Sequence, residues 1–138
     1  MGVKIEINNM PLEVPEGTTI LNAAKQLGIK IPTLCYMEGL QNPGSCRVCV
    51  VEIEGAKTLQ PSCVTEVREG MKIKTNSKRV RSARKTILEL LLCDHPWECN
   101  TCDRNQDCEL QKLADEYGVR EVRFQSLKEK LPLDESTP

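Results

Sequence analysis

The sequence of 138 residues is poor in aromatic side chains, with one Trp, two Tyr and one Phe, 3% in all. A short chain with few large rings builds only a modest core from aliphatic stripes, so bound metal is expected to contribute to its stability. It also lacks excess charge: 19 basic against 20 acidic residues give a net charge of −1. Nucleic-acid binding rests on neutralising phosphates, and this balance argues against it. The longest apolar stretch, around residues 87–92, is far too short to span a bilayer. The opening Met1-Gly2-Val3-Lys4-Ile5-Glu6 carries no basic segment followed by an apolar run. Secretion is therefore not signalled, and a soluble, cytoplasmic protein with reduced thiols is expected. No phosphate-binding glycine loop, dinucleotide fingerprint or nucleophile and base motif appears, so the chain is expected to bind no nucleotide or flavin and to have no catalytic site of its own.

What the chain has is cysteine, eight in number, in two blocks of ligand-like spacing. Cys46 and Cys49 are separated by two residues and follow Asn42-Pro43-Gly44-Ser45, a tight turn that leads into a β-branched run. Ten residues intervene between Cys35 and the pair, and thirteen between the pair and Cys63. Four thiolates from three loops suit tetrahedral zinc or an iron-sulfur cluster. Structural zinc usually takes two close pairs, so one close pair and two single ligands favour iron-sulfur.

The second block is His95-x3-Cys99-x2-Cys102-x5-Cys108, and it contains the only histidine of the sequence. One neutral imidazole with three thiolates serves structural zinc or a 4Fe-4S cluster equally well on spacing alone. Cys93 competes with His95 for the fourth place, although in the last turn of a helix it is expected to be buried and inert.

Period-two alternation in Val3-Lys4-Ile5-Glu6-Ile7 and Met10-Pro11-Leu12-Glu13-Val14, joined by Asn8-Asn9, predicts a β-hairpin. Thr18 or Thr19 caps a helix bearing Ile20, Leu21, Ala24 and Leu27, closed by Gly28. Strands are predicted at 48–53, 57–60 and 71–75. Ser77 caps a longer helix with Val80, Ala83, Ile87, Leu90 and Leu91 on its buried face, stopped at Asp94-His95-Pro96. Its basic residues Lys78, Arg79, Arg81, Arg84 and Lys85 read as a solvated face. A further helix from about Asp107 to Gly118 buries Leu110, Leu113, Ala114 and Tyr117. The pattern divides into a mixed sheet domain at 1–78, a helical domain at 79–124 and a polar, proline-containing linker or docking tail at 125–138.

Four runs together are informative: residues 44–55 around Cys46 and Cys49, Pro61-Ser62-Cys63-Val64-Thr65, Glu69-Gly70-Met71, and Leu90-Leu91-Leu92-Cys93-Asp94-His95-Pro96 through Cys108-Glu109-Leu110-Gln111. They closely resemble the N-terminal iron-sulfur region shared by iron-only hydrogenases, the large iron-sulfur subunit of respiratory complex I and NAD-dependent formate dehydrogenases. The resemblance implies an α+β chain, a β-grasp 2Fe-2S ferredoxin-like domain followed by a small helical 4Fe-4S domain. It implies that Cys35, Cys46, Cys49 and Cys63 hold the 2Fe-2S cluster, and that His95, rather than Cys93, joins Cys99, Cys102 and Cys108 on the 4Fe-4S cluster.

By the same resemblance the chain is an electron-transfer module of an oxidoreductase complex, working between a flavin or NAD(P)H-oxidising subunit and a terminal catalytic subunit. The alternative is a zinc-stabilised assembly module. Gln106 stands near where relatives carry glycine, so strain is expected there if the backbone torsion is positive. Relatives continue into further clusters and a catalytic domain, whereas residues 131–138 resemble the connector into them. Neutral His95 leaves a cluster less negative than a fourth thiolate does. Exchanging it for cysteine is expected to lower the potential, and an unchanged or higher midpoint in a redox titration contradicts this.

Overall fold

The structure is a computed structural model that describes residues 2–129, 131–133 and 136. The chain opens with the expected hairpin, β1 (Gly2–Ile7) and β2 (Met10–Pro15), paired from Gly2 with Pro15 to Ile7 with Met10. Asn8 and Asn9 both take positive φ (50° and 66°), the backbone of a two-residue turn whose twist matches the strands. Helix α1 (Ile20–Gln26) begins on Thr19, whose side chain accepts the Asn22 amide, and buries Ile20, Leu21, Ala23 and Ala24.

Three short strands complete the sheet: β3 (Val50–Ile53), β4 (Gln60–Pro61) and β5 (Lys72–Lys74). The order is β2-β1-β5-β3-β4, with β1 and β5 parallel and the other pairs antiparallel. This is the β-grasp arrangement of an α+β chain. Its core gathers Ile5, Ile7, Ile20, Val51 and Ile73 with Cys49 and Cys63. β4 overlaps the 57–60 strand read from the sequence only at Gln60 and runs on to Pro61, while the Lys57 carbonyl accepts Arg79 Nη2 at 2.8 Å outside the ladder. β3 likewise starts two residues late, since Val48 and Cys49 belong to a turn. β5 is trimmed by one residue at each end relative to 71–75.

Ser77 caps α2 (Lys78–Cys93), its Oγ accepting the Val80 amide at 3.3 Å and donating to Glu52 Oε2 at 2.7 Å. That pair ties the helix start to β3. The buried face of α2 is rotated from the expected one: Val80, Arg84, Leu88 and Leu92 are inside, Ala83 and Ile87 are half-buried, and Leu90 and Leu91 are exposed. Lys78, Arg79, Arg81 and Lys85 do face solvent, but Arg84 is 2% exposed, so the basic run is not one solvated face. Its guanidinium reaches the Val50 carbonyl (Nη2, 2.8 Å) and the Tyr117 hydroxyl (Nη1, 3.1 Å).

Helix α3 (Glu109–Glu116) starts two residues later than expected, with Cys108 at its N-cap. Only Leu113 of its apolar residues is fully buried; Leu110, Ala114 and Tyr117 are half-buried. A second core joins Val48, Leu88, Leu92, Leu113 and Val119, with Cys46 and Leu34 packed against it. Adjacent residues Val48 and Cys49 thus enter opposite cores, so the first cysteine loop is shared by sheet and helices. Arg123 Nε binds the buried Glu89 Oε2 at 2.7 Å and pins the segment after α3 to α2. Of the expected tail, Leu127, Leu131 and Leu133 are exposed, while Lys130, Asp134, Glu135, Thr137 and Pro138 lie outside the described residues. No helix among the described residues is long and apolar enough to cross a membrane.

Candidate metal centres

The first block sits where α1, β3 and the 34–46 loop meet. Cys49 and Cys63 are buried, Cys35 and Cys46 half-buried, and all are free thiols. The Cys46 amide points at the Cys35 sulfur, 3.5 Å away. Burial alone raises the Cys35 pKa, but the hydrogen bonds from Cys46 and Ser45 outweigh it and hold this thiol below its ordinary value. Cys63 goes the other way, to about 11: burial raises it most, the neighbouring Cys49 thiol adds to this, and the Asn42 side chain opposes.

A pair of glycine-like torsions bends the loop around these sulfurs. Gly44 has φ 60° and Arg47, between the close cysteines, has φ 62°. A Cβ on Gly44 would sit 3.0 Å from Val64 Cγ1, so both conformation and space call for glycine. Asn42 is the organiser that the sequence reading did not single out. Its Nδ2 donates to the Cys63 carbonyl at 2.7 Å and its Oδ1 accepts the Gly44 amide at 3.2 Å. Ser62 Oγ donates to the Cys49 carbonyl at 2.7 Å. The backbone carrying Cys49 and Cys63 is therefore hydrogen-bonded on several sides.

The second block is built from less regular structure. His95 follows the C-cap of α2, Cys99 opens a single 3-10 turn (Cys99–Thr101), Cys102 ends that turn, and Cys108 caps α3. All four line one cavity of about 180 Å³, together with Arg104, Asn105 and Gln111. Cys93 does not line it. That residue occupies the last turn of α2, half-buried rather than buried as expected, with its thiol donating to the Leu90 carbonyl at 3.0 Å. Gln106 has φ 66°, the torsion for which glycine is suited, and its amide donates to Gln111 Oε1 at 2.8 Å. Gln111 Nε2 in turn donates to Asn105 Oδ1 at 2.9 Å. Gln111 thus holds the loop between Cys102 and Cys108. Its position three residues after Cys108, on the same helix face, was the available signal.

Among the described residues no three His, Cys, Asp or Glu side chains converge closely enough to grip a single metal ion. Soft sulfur donors in both blocks, a peptide N–H aimed at a sulfur in the first and a cavity among the candidate ligands in the second are a donor set that fits polynuclear iron-sulfur groups.

Comparison with known proteins agrees in both regions. Residues 1–78 match the model of the 2Fe-2S iron-sulfur cluster binding domain, and residues 84–123 match that of the NADH-ubiquinone oxidoreductase-G iron-sulfur binding region. The two matches assign a 2Fe-2S cluster to the first region and a 4Fe-4S cluster to the second. The NADP-reducing hydrogenase subunit HndD of Solidesulfovibrio fructosivorans is 55% identical over 125 residues, 87% of this chain and 21% of that protein. The NADH-ubiquinone oxidoreductase 75 kDa subunit of Reclinomonas americana is 42% identical over 126 residues, 91% of this chain and 18% of that protein. A chain of the crystal structure of an NAD+-reducing [NiFe]-hydrogenase in the H2-reduced state superposes with a TM-score of 0.84 at 32% identity, covering 99% of this chain and 57% of that one. The chain spans about a fifth of the length of these two curated relatives.

Proposed function

The chain belongs to the family of 2Fe-2S iron-sulfur cluster binding domains, and on that premise we propose that it relays single electrons within a larger NAD(P)-linked oxidoreductase. Cys35, Cys46, Cys49 and Cys63 hold the 2Fe-2S cluster in a unit of about residues 1–78. His95, Cys99, Cys102 and Cys108 hold the 4Fe-4S cluster in a unit of about residues 79–124, with 125–138 leading to partners. The observation that carries this reading is that the four second-block residues, scattered over turn, coil and helix cap, line one cavity from which Cys93 is absent. The partners are a flavin or NAD(P)H-oxidising subunit on one side and a hydrogenase, formate dehydrogenase or NADH dehydrogenase site on the other, within the cytoplasm.

When bound, the clusters supply one-electron redox states, and the protein chain sets their energies. The Cys46 amide stabilises negative charge on the Cys35 sulfur. Burial of Cys49 and Cys63 keeps water from those ligands. In the second block the neutral imidazole of His95 replaces one anionic sulfur, and Gln111 fixes the loop that brings Cys108 toward Cys102. Substrate turnover belongs to its partners.

Anaerobic preparation of the full chain, with metal analysis and electron paramagnetic resonance, tests the proposal. Two distinct reducible signals are expected, with iron and sulfide in the amounts of one cluster of each kind. Zinc in either site, or a colourless protein with neither signal, overturns it.

A further inference from the structure

We infer that the Arg84 guanidinium supplies a fixed positive charge beside the first cluster site and thereby stabilises that site's reduced state, acting as a positioning residue. The inference rests on the cluster assignment proposed above. Arg84 is 2% exposed, at mid-helix in α2 (Lys78–Cys93) and away from the compensating charge of either helix end. Its hydrogen bonds go to neutral acceptors, the Val50 carbonyl and the Tyr117 hydroxyl, and its Nε is buried without a partner. Among the described residues no carboxylate pairs with it, whereas the other deeply buried charged residue, Glu89, has Arg123. Arginine does not discharge at working pH, so the positive charge is permanent. A buried cation with no anion beside it is costly, and such groups are retained where something else meets the charge.

The surroundings indicate what meets it. The carbonyl that Arg84 takes belongs to Val50, the residue after Cys49, in the strand leaving the close cysteine pair. Val48, just before Cys49, packs in the same core as Leu88, one helical turn beyond Arg84. The guanidinium is thus attached to the backbone that presents two candidate ligands. A cluster held by four thiolates is anionic and gains one more negative charge on reduction, so a nearby fixed cation favours the reduced form and raises the potential.

The effect is directional. Tyr117, the contact on the other side, lies nine residues past Cys108, roughly 13 Å along α3 at its rise per residue. Val50, whose carbonyl Arg84 holds, is by contrast one residue from Cys49, so the second site is expected to be the less sensitive to the charge.

The test is a redox titration of the full, anaerobically loaded chain followed by electron paramagnetic resonance. Arg84→Met and Arg84→Gln are expected to lower the midpoint of the 2Fe-2S signal, by more than that of the 4Fe-4S signal. Arg84→Lys is expected to keep most of the wild-type value. Tyr117→Phe, which removes an acceptor but no charge, is expected to leave the 2Fe-2S midpoint in place. Neutral variants with both signals and an unmoved 2Fe-2S midpoint overturn the inference, as does an equal or larger shift in the second centre. If both neutral variants fail to load while Arg84→Lys loads, Arg84 serves folding and the inference is again overturned. A wild-type chain lacking the two signals sinks the cluster assignment itself, which separates that failure from failure of the Arg84 inference.

Discussion

The two cysteine blocks are enclosed by different means. The first lies against a five-stranded sheet, with Cys49 1% and Cys63 4% exposed and their carbonyls held by Ser62 and Asn42. In the second, Cys102 and His95 are exposed, the ligating segment contains one 3-10 turn, and Gln111 is the side chain that braces its loop. A region with few buried apolar contacts and few backbone hydrogen bonds opens at low free energy. The first site is therefore organised by protein packing, whereas the second, held mainly by short turn hydrogen bonds, is expected to gain most of its order from a bound cluster.

Removing iron with an anaerobic chelator tests this contrast and has the largest expected effect. Amides of residues 96–107 should approach unprotected hydrogen-exchange rates, while the Glu6 and Asn8 amides, bonded to the Met71 and Ile73 carbonyls, stay protected. Equal loss of protection in both regions would break the contrast.

Packing at the joint between the regions comes next. Leu88 is fully buried in the second core beside Val48 of the first cysteine loop. Leu88→Ala should cost about 2–5 kcal/mol in denaturant unfolding of the loaded protein. It should also loosen the first loop, read as faster exchange at Val50. A cost confined to α2 and α3 would show that the shared loop does not couple the cores.

Backbone torsions offer a finer comparison, because each block contains a residue at positive φ. Gln106→Gly should stabilise the second region by about 1 kcal/mol, since a side chain in the left-handed region costs about that much. Gly44→Ala should destabilise the first by at least about 1 kcal/mol, adding a contact to Val64 to the same torsional cost. Denaturant midpoints at unchanged slope check both. A neutral Gly44→Ala would mean that the first loop is as pliable as the second.

These contrasts also mark what was legible in the sequence. The hairpin was readable because period-two alternation meets an Asn-Asn turn, and Ser77 and Thr19 announced their caps chemically. Ligand spacing grouped His95 with Cys99, Cys102 and Cys108, which the cavity brings together. Arg84 was hidden for a physical reason: apolar periodicity counts arginine as outward, while here its charge is turned inward onto the Val50 carbonyl. Asn42 and Gln111 were missed because their roles are hydrogen bonds to loops, which leave no periodic trace. The start of the 57–60 strand is absent, and the Lys57 carbonyl there is taken by Arg79, 22 residues away, a long-range contact that local propensity cannot register.

The smallest expected effect concerns the tie between the regions at Glu52. Its carboxylate is held below the ordinary carboxylate range first by the Ser77 hydroxyl, with desolvation opposing and Arg79, at 3.6 Å, assisting. A depressed folded pKa means stability that is present above the unfolded value, about 4.3, and lost as pH falls through the folded value. Glu52→Gln should therefore lower the melting temperature slightly at pH 7, and the two melting curves should merge under acid conditions below the carboxylate range. Added salt should shrink only the Arg79 share, since the Ser77 hydrogen bond is short-range while the ion pair is exposed to screening. Because Ser77 caps the helix that carries the second region, the lost increment should appear in α2 exchange rates before it appears in the hairpin. The opposite order would place Glu52 in the sheet's own stability and remove it from the joint.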